Sequence, residues 1–396
     1  MTELVLFGIG AAGNKAAIEA VETRVIAKER VSLINTTVKD IPENIKKDNP
    51  NMVIKFSSML GGCGKEPVKG DKAMFQAIKN KEIDFSAIIN HDTKAVVLVT
   101  STEGGTGCGA TPVIARYFAA LNIPVHVFAF IGFEDELRGV NNTLRFFKEL
   151  PEGIILHTID NKKFLDFTKN YNKAEQAANE EFVSQLEILI GSKIIPSAQN
   201  IDNTDHYKVI TTPGYMDIRH INLKGAKNIE LTNQAIIDSF ESMSCLEYSA
   251  GCKRFAVIIN ALSKTQEVID SRFDVIKRYT GEGIEYFRHI QHDGSDDEYM
   301  DIIVAGLPYP EECIKDLGKK YSMLKDKVNN HQKGLSDIFD DIEFSDDLEE
   351  TDVAKMRNPE DALKLFFNSD DKEPAKPNHN QNNGKPAKRA NNMTEY

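Results

Sequence analysis

The sequence predicts an α/β fold: a doubly wound, mostly parallel sheet, a long central helix, a smaller second α/β domain, then C-terminal helices and a disordered tail. Two observations predict the sheet. Apolar runs of strand length alternate with helical stretches from Thr2 to about Phe164, and two glycine-rich loops each follow such a run directly. A third sets the scale, because 396 residues at 41% hydrophobic content suffice for two cores.

The first strand, at residues 4–7, ends in Gly8-Ile9-Gly10-Ala11-Ala12-Gly13-Asn14, which leads into the helix-forming Lys15-Ala16-Ala17-Ile18-Glu19-Ala20. Gly-x-Gly-x-x-Gly at a helix start suits any bound oligophosphate, and alone it fits a Rossmann dinucleotide fold. The second strand, 31–34, ends in Asn35-Thr36-Thr37 and not in the acid that grips a dinucleotide ribose, which argues against NAD. After a third strand at 52–56 comes a further glycine loop, Gly61-Gly62-Cys63-Gly64-Lys65.

The fourth strand, 95–99, feeds Thr100-Ser101-Thr102-Glu103-Gly104-Gly105-Thr106-Gly107-Cys108-Gly109. These glycines let several N–H groups converge on one point, and a helix starting near Gly107 adds its positive end. Cys108 and Gly109 follow Gly107 where a Walker-type loop needs Lys and Ser or Thr, so this phosphate cradle works without a lysine. Strands at 125–130 and 153–157 complete a first domain, placed at residues 1–171.

The central helix is read from Ala174, Ala177, Ala178, Phe182, Leu186, Leu189 and Ile190 at near-helical spacing over 172–190, within a segment assigned to 172–199. A second domain at 200–309 contains strands at 254–261, 284–289 and 299–306 and a helix at 263–279. Residues 310–367 read as a helical extension, with helices at 310–330 and 359–367 around a stretch from Asp337 to Asp352 that holds acids and no Lys or Arg. From 368 to 396 apolar residues nearly vanish, which predicts disorder.

The run Gly104-Gly105-Thr106-Gly107-Cys108-Gly109 resembles the Gly-Gly-Thr-Gly-x-Gly signature of the tubulin/FtsZ superfamily of GTPases. Just past the central helix, Asn200-Ile201-Asp202-Asn203-Thr204-Asp205 matches that family's Asn-x-Asp-x-x-Asp. The resemblance implies GTP/GDP as ligand with Mg²⁺, and hydrolysis completed when Asn200, Asp202 and Asp205 enter the nucleotide site of the next subunit. Phosphate contacts then fall to Gly10, Ala11, Gly62, Gly64, Thr100, Gly104, Gly105, Thr106 and Gly107, with Asn35 after the second strand. Phe133-Glu134-Asp135-Glu136-Leu137-Arg138 resembles Phe-Glu-Gly-x-x-Arg, with Glu134 for the ribose and Arg138 for a nucleotide contact. Asn161 would meet the sugar, and Asn14 and Asn179 the guanine. Asp135 and Glu103 depart from the pattern, each standing where the family has glycine.

The helical extension and the polar tail, with Lys372, Lys376, Lys385, Lys388 and Arg389, look like the TubZ branch. That branch implies a head-to-tail filament that segregates plasmid or phage DNA in a bacterial cytosol, coupled through a TubR-type adaptor on centromere DNA, here by way of the tail after Asn368. An FtsZ-like division or phage-centring filament is the alternative within the superfamily, and an NAD(P) oxidoreductase the alternative outside it. A net charge of −12 and a tail without interleaved aromatics disfavour direct sequence-specific DNA binding. Five cysteines at spacings of neither a zinc site nor a disulfide framework fit a reducing cytoplasm, and no apolar stretch predicts a membrane span.

Overall fold

The computed structural model describes residues 4–56, 61–195, 203–223, 228–242, 251–260, 266–281, 283–292 and 297–332. The helix expected at 359–367, the acidic stretch and the tail lie outside the described residues.

The apolar runs of the central strands are buried on both faces, as a sheet covered by helices on both sides requires, while the edge strands at 53–55 and 285–291 are more open. In chain order the strands are β1 (Leu4–Ile9), β2 (Val31–Asn35), β3 (Val53–Lys55), β4 (Ala95–Ser101), β5 (Val125–Ile131), β6 (Ile155–Asp160), β7 (Gly214–Asn222), β8 (Arg254–Asn260), β9 (Glu285–Gln291) and β10 (Tyr299–Leu307). They form one sheet in the order β3-β2-β1-β4-β5-β6-β7-β10-β8-β9. From β3 through β7 neighbours run parallel, β10 lies antiparallel to β7 and to β8, and β9 runs parallel to β8.

Alternate residues of each strand serve different layers. In β4, Val96 and Leu98 enter one core and Ala95, Val97 and Val99 the other. The first layer is covered by α3 (Pro67–Lys79), α4 (Thr106–Ala120), α5 (Leu137–Glu149), and, beside the second half of the sheet, α9 (Ile229–Ser242) and α10 (Gln266–Thr280). The opposite layer is covered by α1 (Gly10–Glu22), α2 (Glu43–Asp48), α7 (Tyr171–Ile190) and α8 (Asn203–Ile210). The short α6 (Asn161–Thr168) packs on α7, and α11 (Glu311–Gln332) packs on α5.

Strand order reverses between β1 and β4, so the connections after these two strands leave in opposite directions and open a crevice at their carboxyl ends. Both glycine loops fall there. The 20-residue α7 spans about 30 Å at 1.5 Å per residue. It is capped at its start by the Asn170 side chain, which accepts from the Lys173 N–H at 3.0 Å, and ends at Gly191 in the left-handed conformation. It runs from the crevice edge of the sheet to the opposite edge. There, α8 leads into β7, whose Gly214 pairs with Ile155 at the start of β6.

Three differences from the sequence reading have physical causes. Helix α1 begins at Gly10, so the last part of the first glycine loop already belongs to its first turns. The Asn200–Asp205 motif, expected as a loop, becomes helical from Asn203, with Asp205 in the first turn of α8, where acidic side chains favour a helix start. Strand β7 was not anticipated: its Asp217 and Arg219 are buried, and each neutralises the other, Arg219 Nε and Nη2 donating to Asp217 Oδ2 at 3.0 and 2.9 Å.

Candidate active site

The crevice is built by backbones that approach more closely than side chains allow. Gly10 has φ +74°, and a Cβ there would lie 3.1 Å from the Gly107 nitrogen. A Cβ on Gly107 would in turn meet Thr100 Oγ1 at 2.2 Å. The two glycine loops therefore touch, and glycine at these points is a packing requirement as much as a conformational one.

Helices α1 and α4 both start at this contact. Neither has a side-chain cap or an acid in its first turn. Their first N–H groups and positive ends are open to an anion, the arrangement oligophosphates use. Hydroxyls line the same floor. Thr106 Oγ1 lies 3.0 Å from Thr36 Oγ1 and donates to Cys63 Sγ at 3.4 Å, while Thr100 Oγ1 donates to the Ile9 carbonyl at 3.2 Å.

The 61–66 loop closes on the cradle from the α3 side. A Cβ on Gly105 would lie 2.7 Å from Cys63 Cβ and 2.8 Å from the Glu66 nitrogen. The buried Asn142 of α5 ties this loop to the phosphate loop, its Nδ2 donating to the Lys65 carbonyl at 3.0 Å and to the Glu103 carbonyl at 2.9 Å. No motif marks Asn142. Gly62 and Gly64 are exposed in the loop, with nothing within 4 Å of a built Cβ.

At the sugar end, the Asp160 side chain caps α6 by accepting from the Lys162 N–H at 2.9 Å, and burial pushes the Asp160 carboxyl above its ordinary range. Asn161, the first residue of α6, keeps its buried Oδ1 without a hydrogen-bond partner. Glu134 holds Lys162 Nζ at 3.0 Å, which raises the lysine pKa. Arg138 does not point freely into the crevice: its Nη2 lies 3.8 Å from Glu66 Oε1, and Lys65 Nζ meets Glu136 at 2.5 Å. Two ion pairs thus link the 61–66 loop to the loop after β5.

Asn14 is the most pointed observation. It is 2% exposed, yet neither its Oδ1 nor its Nδ2 has a partner. A buried amide with both ends unmatched is costly unless a ligand completes it. Across from it on α7, Asn179 is half-buried and hydrogen-bonds Glu19 of α1. Asn35 is buried at the end of β2, where its Oδ1 accepts from the Thr36 N–H at 2.9 Å. Ala11 is exposed on the first turn of α1.

Glu103 points away from the cradle. Its Oε1 accepts from the Glu134 N–H at 3.2 Å, and burial raises its pKa, partly opposed by that hydrogen bond. The crevice thus gathers two uncapped helix starts, closely packed glycines and a buried amide with no partner. Among the described residues no group of three or more His, Cys, Asp or Glu could hold a metal ion.

Of the predicted catalytic residues only Asp205 is among the described residues, and it does not lie at this crevice. Asn200 and Asp202 lie outside the described residues. Asp205, in α8, lies within 3.4 Å of Lys208 Nζ at the amino ends of the parallel strands, whereas the glycine loops lie at the carboxyl ends. A seven-residue strand such as β5 separates the two edges by about 20 Å.

Residues 3–169 match the model of the Tubulin/FtsZ family, GTPase domain. The chain is 26% identical over 368 residues to the tubulin-like protein CetZ of Pyrococcus furiosus, covering 85% of this chain and 97% of that one. Its fold superposes on GDP-bound CetZ1 from Haloferax volcanii with a TM-score of 0.65 at 18% identity, over 82% of this chain and 99% of that one. On a GTPγS-form protofilament of TubZ from Bacillus thuringiensis serovar israelensis the TM-score is 0.67 at 12% identity, over 84% and 94% of the two chains.

Proposed function

We propose that this chain, whose residues 3–169 form a GTPase domain of the Tubulin/FtsZ family, assembles head to tail into filaments in which each subunit completes the active site of the next. The observation that carries the reading is the placement of its two functional halves. The nucleotide crevice and α8 stand on opposite edges of one sheet, so Asp205 cannot reach the crevice of its own chain, and stacking subunits along the strand direction brings the two edges together.

Each residue then has a task. Backbone N–H groups at Gly10, Ala11 and Gly104–Gly107 hold phosphate charge without a lysine, and Thr106 adds a hydroxyl. Asn14 and Asn179 bind the guanine edge, and Glu134 with Asn161 binds the sugar. Phosphoryl transfer to water needs an oriented nucleophile and a proton acceptor, and the carboxylates of Asp202 and Asp205, with Asn200, supply these from the neighbour. Bound Mg²⁺ would spread the phosphate charge. Turnover is thereby tied to assembly.

Solved structures of similar fold include filaments of TubZ and a protofilament of CetZ2, which supports self-assembly. Segregation of plasmid or phage DNA through a TubR-type adaptor is a second, narrower reading. It draws on the basic tail after Asn368 and on fold similarity to TubZ of Clostridium botulinum phage c-st, and pull-down with and without that tail tests it.

The reading of the active site is tested by Asp205→Ala. The variant should bind GTP and assemble as the wild type does, while phosphate release per polymerised subunit falls by about 10²- to 10⁴-fold, the range for loss of an acid-base group. Loss of GTP binding in this variant would contradict the placement of Asp205 in the neighbour's site.

A further inference from the structure

Glu103 stands in the phosphate loop, but its carboxylate occupies space that two other residues leave empty. A Cβ on Gly132 would lie 1.8–2.1 Å from the Glu103 carboxylate atoms, and one on Gly139 would lie 2.9–3.1 Å from them. These glycines flank the loop that runs from Phe133 to Arg138. Within that loop Glu103 Oε1 accepts the Glu134 N–H, and Glu134 has φ +58°, a conformation that non-glycine residues adopt when held. Glu134 in turn holds Lys162, next to Asn161. On its other side, the Glu103 carbonyl is fixed by Asn142, which also grips Lys65.

We propose that Glu103 is a positioning residue that sets the ribose contact of Glu134 from the phosphate loop, so that selection for the sugar hydroxyls depends on a side chain that does not itself touch the nucleotide. The proposal rests on the reading of the crevice as a GTP site. The carboxylate joins the phosphate loop to the backbone of Glu134 itself, and the two glycines give it room to do so. Removing it frees the 133–138 loop to leave the strained conformation, and Glu134 moves off the sugar while phosphate and base contacts persist.

The test compares equilibrium binding of GTP and 2′,3′-dideoxyGTP, below the assembly threshold, to wild type, Glu103→Ala, Glu103→Gln and Gly139→Ala. Wild type should prefer GTP by about tenfold, the scale of one or two hydrogen bonds to the hydroxyls. In Glu103→Ala the ratio should fall toward one, with binding of the dideoxy analogue nearly unchanged. Glu103→Gln keeps an acceptor of the same reach and should retain most of the preference. Gly139→Ala places its methyl against the carboxylate in the first turn of α5, where alanine is the better helix former, so it should lower the ratio without lowering the melting temperature.

A double cycle with Glu134→Ala adds a second check: once Glu134 is truncated, removing Glu103 should change the ratio no further. Equal weakening of both nucleotides in Glu103→Ala, or an unchanged ratio in folded Glu103→Ala and Gly139→Ala, overturns the proposal. Failure of the wild type to bind either nucleotide would instead bring down the reading of the crevice, and this proposal with it.

Discussion

Replacing Asn14 with leucine should stabilise the nucleotide-free protein and weaken its hold on GTP. The side chain is buried with both polar atoms unpartnered. Each unmatched buried polar group costs about 1–3 kcal/mol. Leucine has the same number and branching of side-chain heavy atoms, needs no partner and is the better helix former, while its bulkier methyl groups take back part of the gain. A net gain of about 1–2 kcal/mol, or roughly 2–4 °C in melting temperature, follows. The same change leaves the base edge facing a methyl group, so GTP affinity should fall by about 10- to 100-fold. Thermal melts of nucleotide-stripped protein, paired with calorimetric GTP titration, read both quantities. A leucine variant that is less stable without nucleotide and binds GTP as well as the wild type would refute the reasoning, because the amide would then serve the fold and not the ligand.

Further predictions concern the scaffold. Gly13→Ala places a methyl 2.1 Å from the Val99 carbonyl, where α1 meets β4, and should cost more than about 3 kcal/mol in urea unfolding; a loss under about 1 kcal/mol would show that the helix can simply shift. His126 is buried neutral against His157, their ring nitrogens 3.0 Å apart, and burial pushes its pKa down to about 3. The unfolded chain takes up its proton near the ordinary value of about 6.5, so stability owed to neutral His126 is present above that pH and is lost as pH falls toward 3. Relative to wild type, His126→Gln should therefore gain up to about 1.4 kcal/mol per pH unit as urea midpoints are taken from pH 6.5 to 5. A difference that is flat with pH would mean that His126 titrates alike in both states. Asp71, buried on α3 and 3.2 Å from Arg145 Nη2 of α5, has its carboxyl pushed from 3.8 up to about 7 by burial, so the stability owed to its protonated form is lost as pH rises from about 4 to 7, and Asp71→Asn should blunt that loss, measured the same way.

Much of the crevice was legible because its chemistry is written in contiguous backbone motifs. Strand, glycine loop and helix start are neighbours in sequence, so Gly10, Thr106 and Gly107 could be placed from local pattern alone. What escaped notice depends on distant partners. Asn142 and Lys65 are 77 residues apart, and neither belongs to a pattern that predicts their hydrogen bond. The orientation of Glu103 follows from the missing side chains of Gly132, just past β5, and Gly139, in the first turn of α5. Strand β7 was concealed because Asp217 and Arg219 break its apolar alternation while cancelling each other's charge inside the core. Arg138, assigned to the nucleotide from its motif position, has its Nη2 3.8 Å from Glu66 Oε1, a contact that no local pattern announces.

The central claim is that hydrolysis belongs to the junction between two copies of this chain. The most direct test is right-angle light scattering with phosphate release measured in parallel, on wild-type protein with Mg²⁺ and GTP or ATP across a concentration series. GTP alone should produce scattering above a threshold concentration, and turnover per chain should switch on at that same threshold. A GTP turnover that is constant per chain down to the most dilute samples, where no scattering is seen, would contradict the claim.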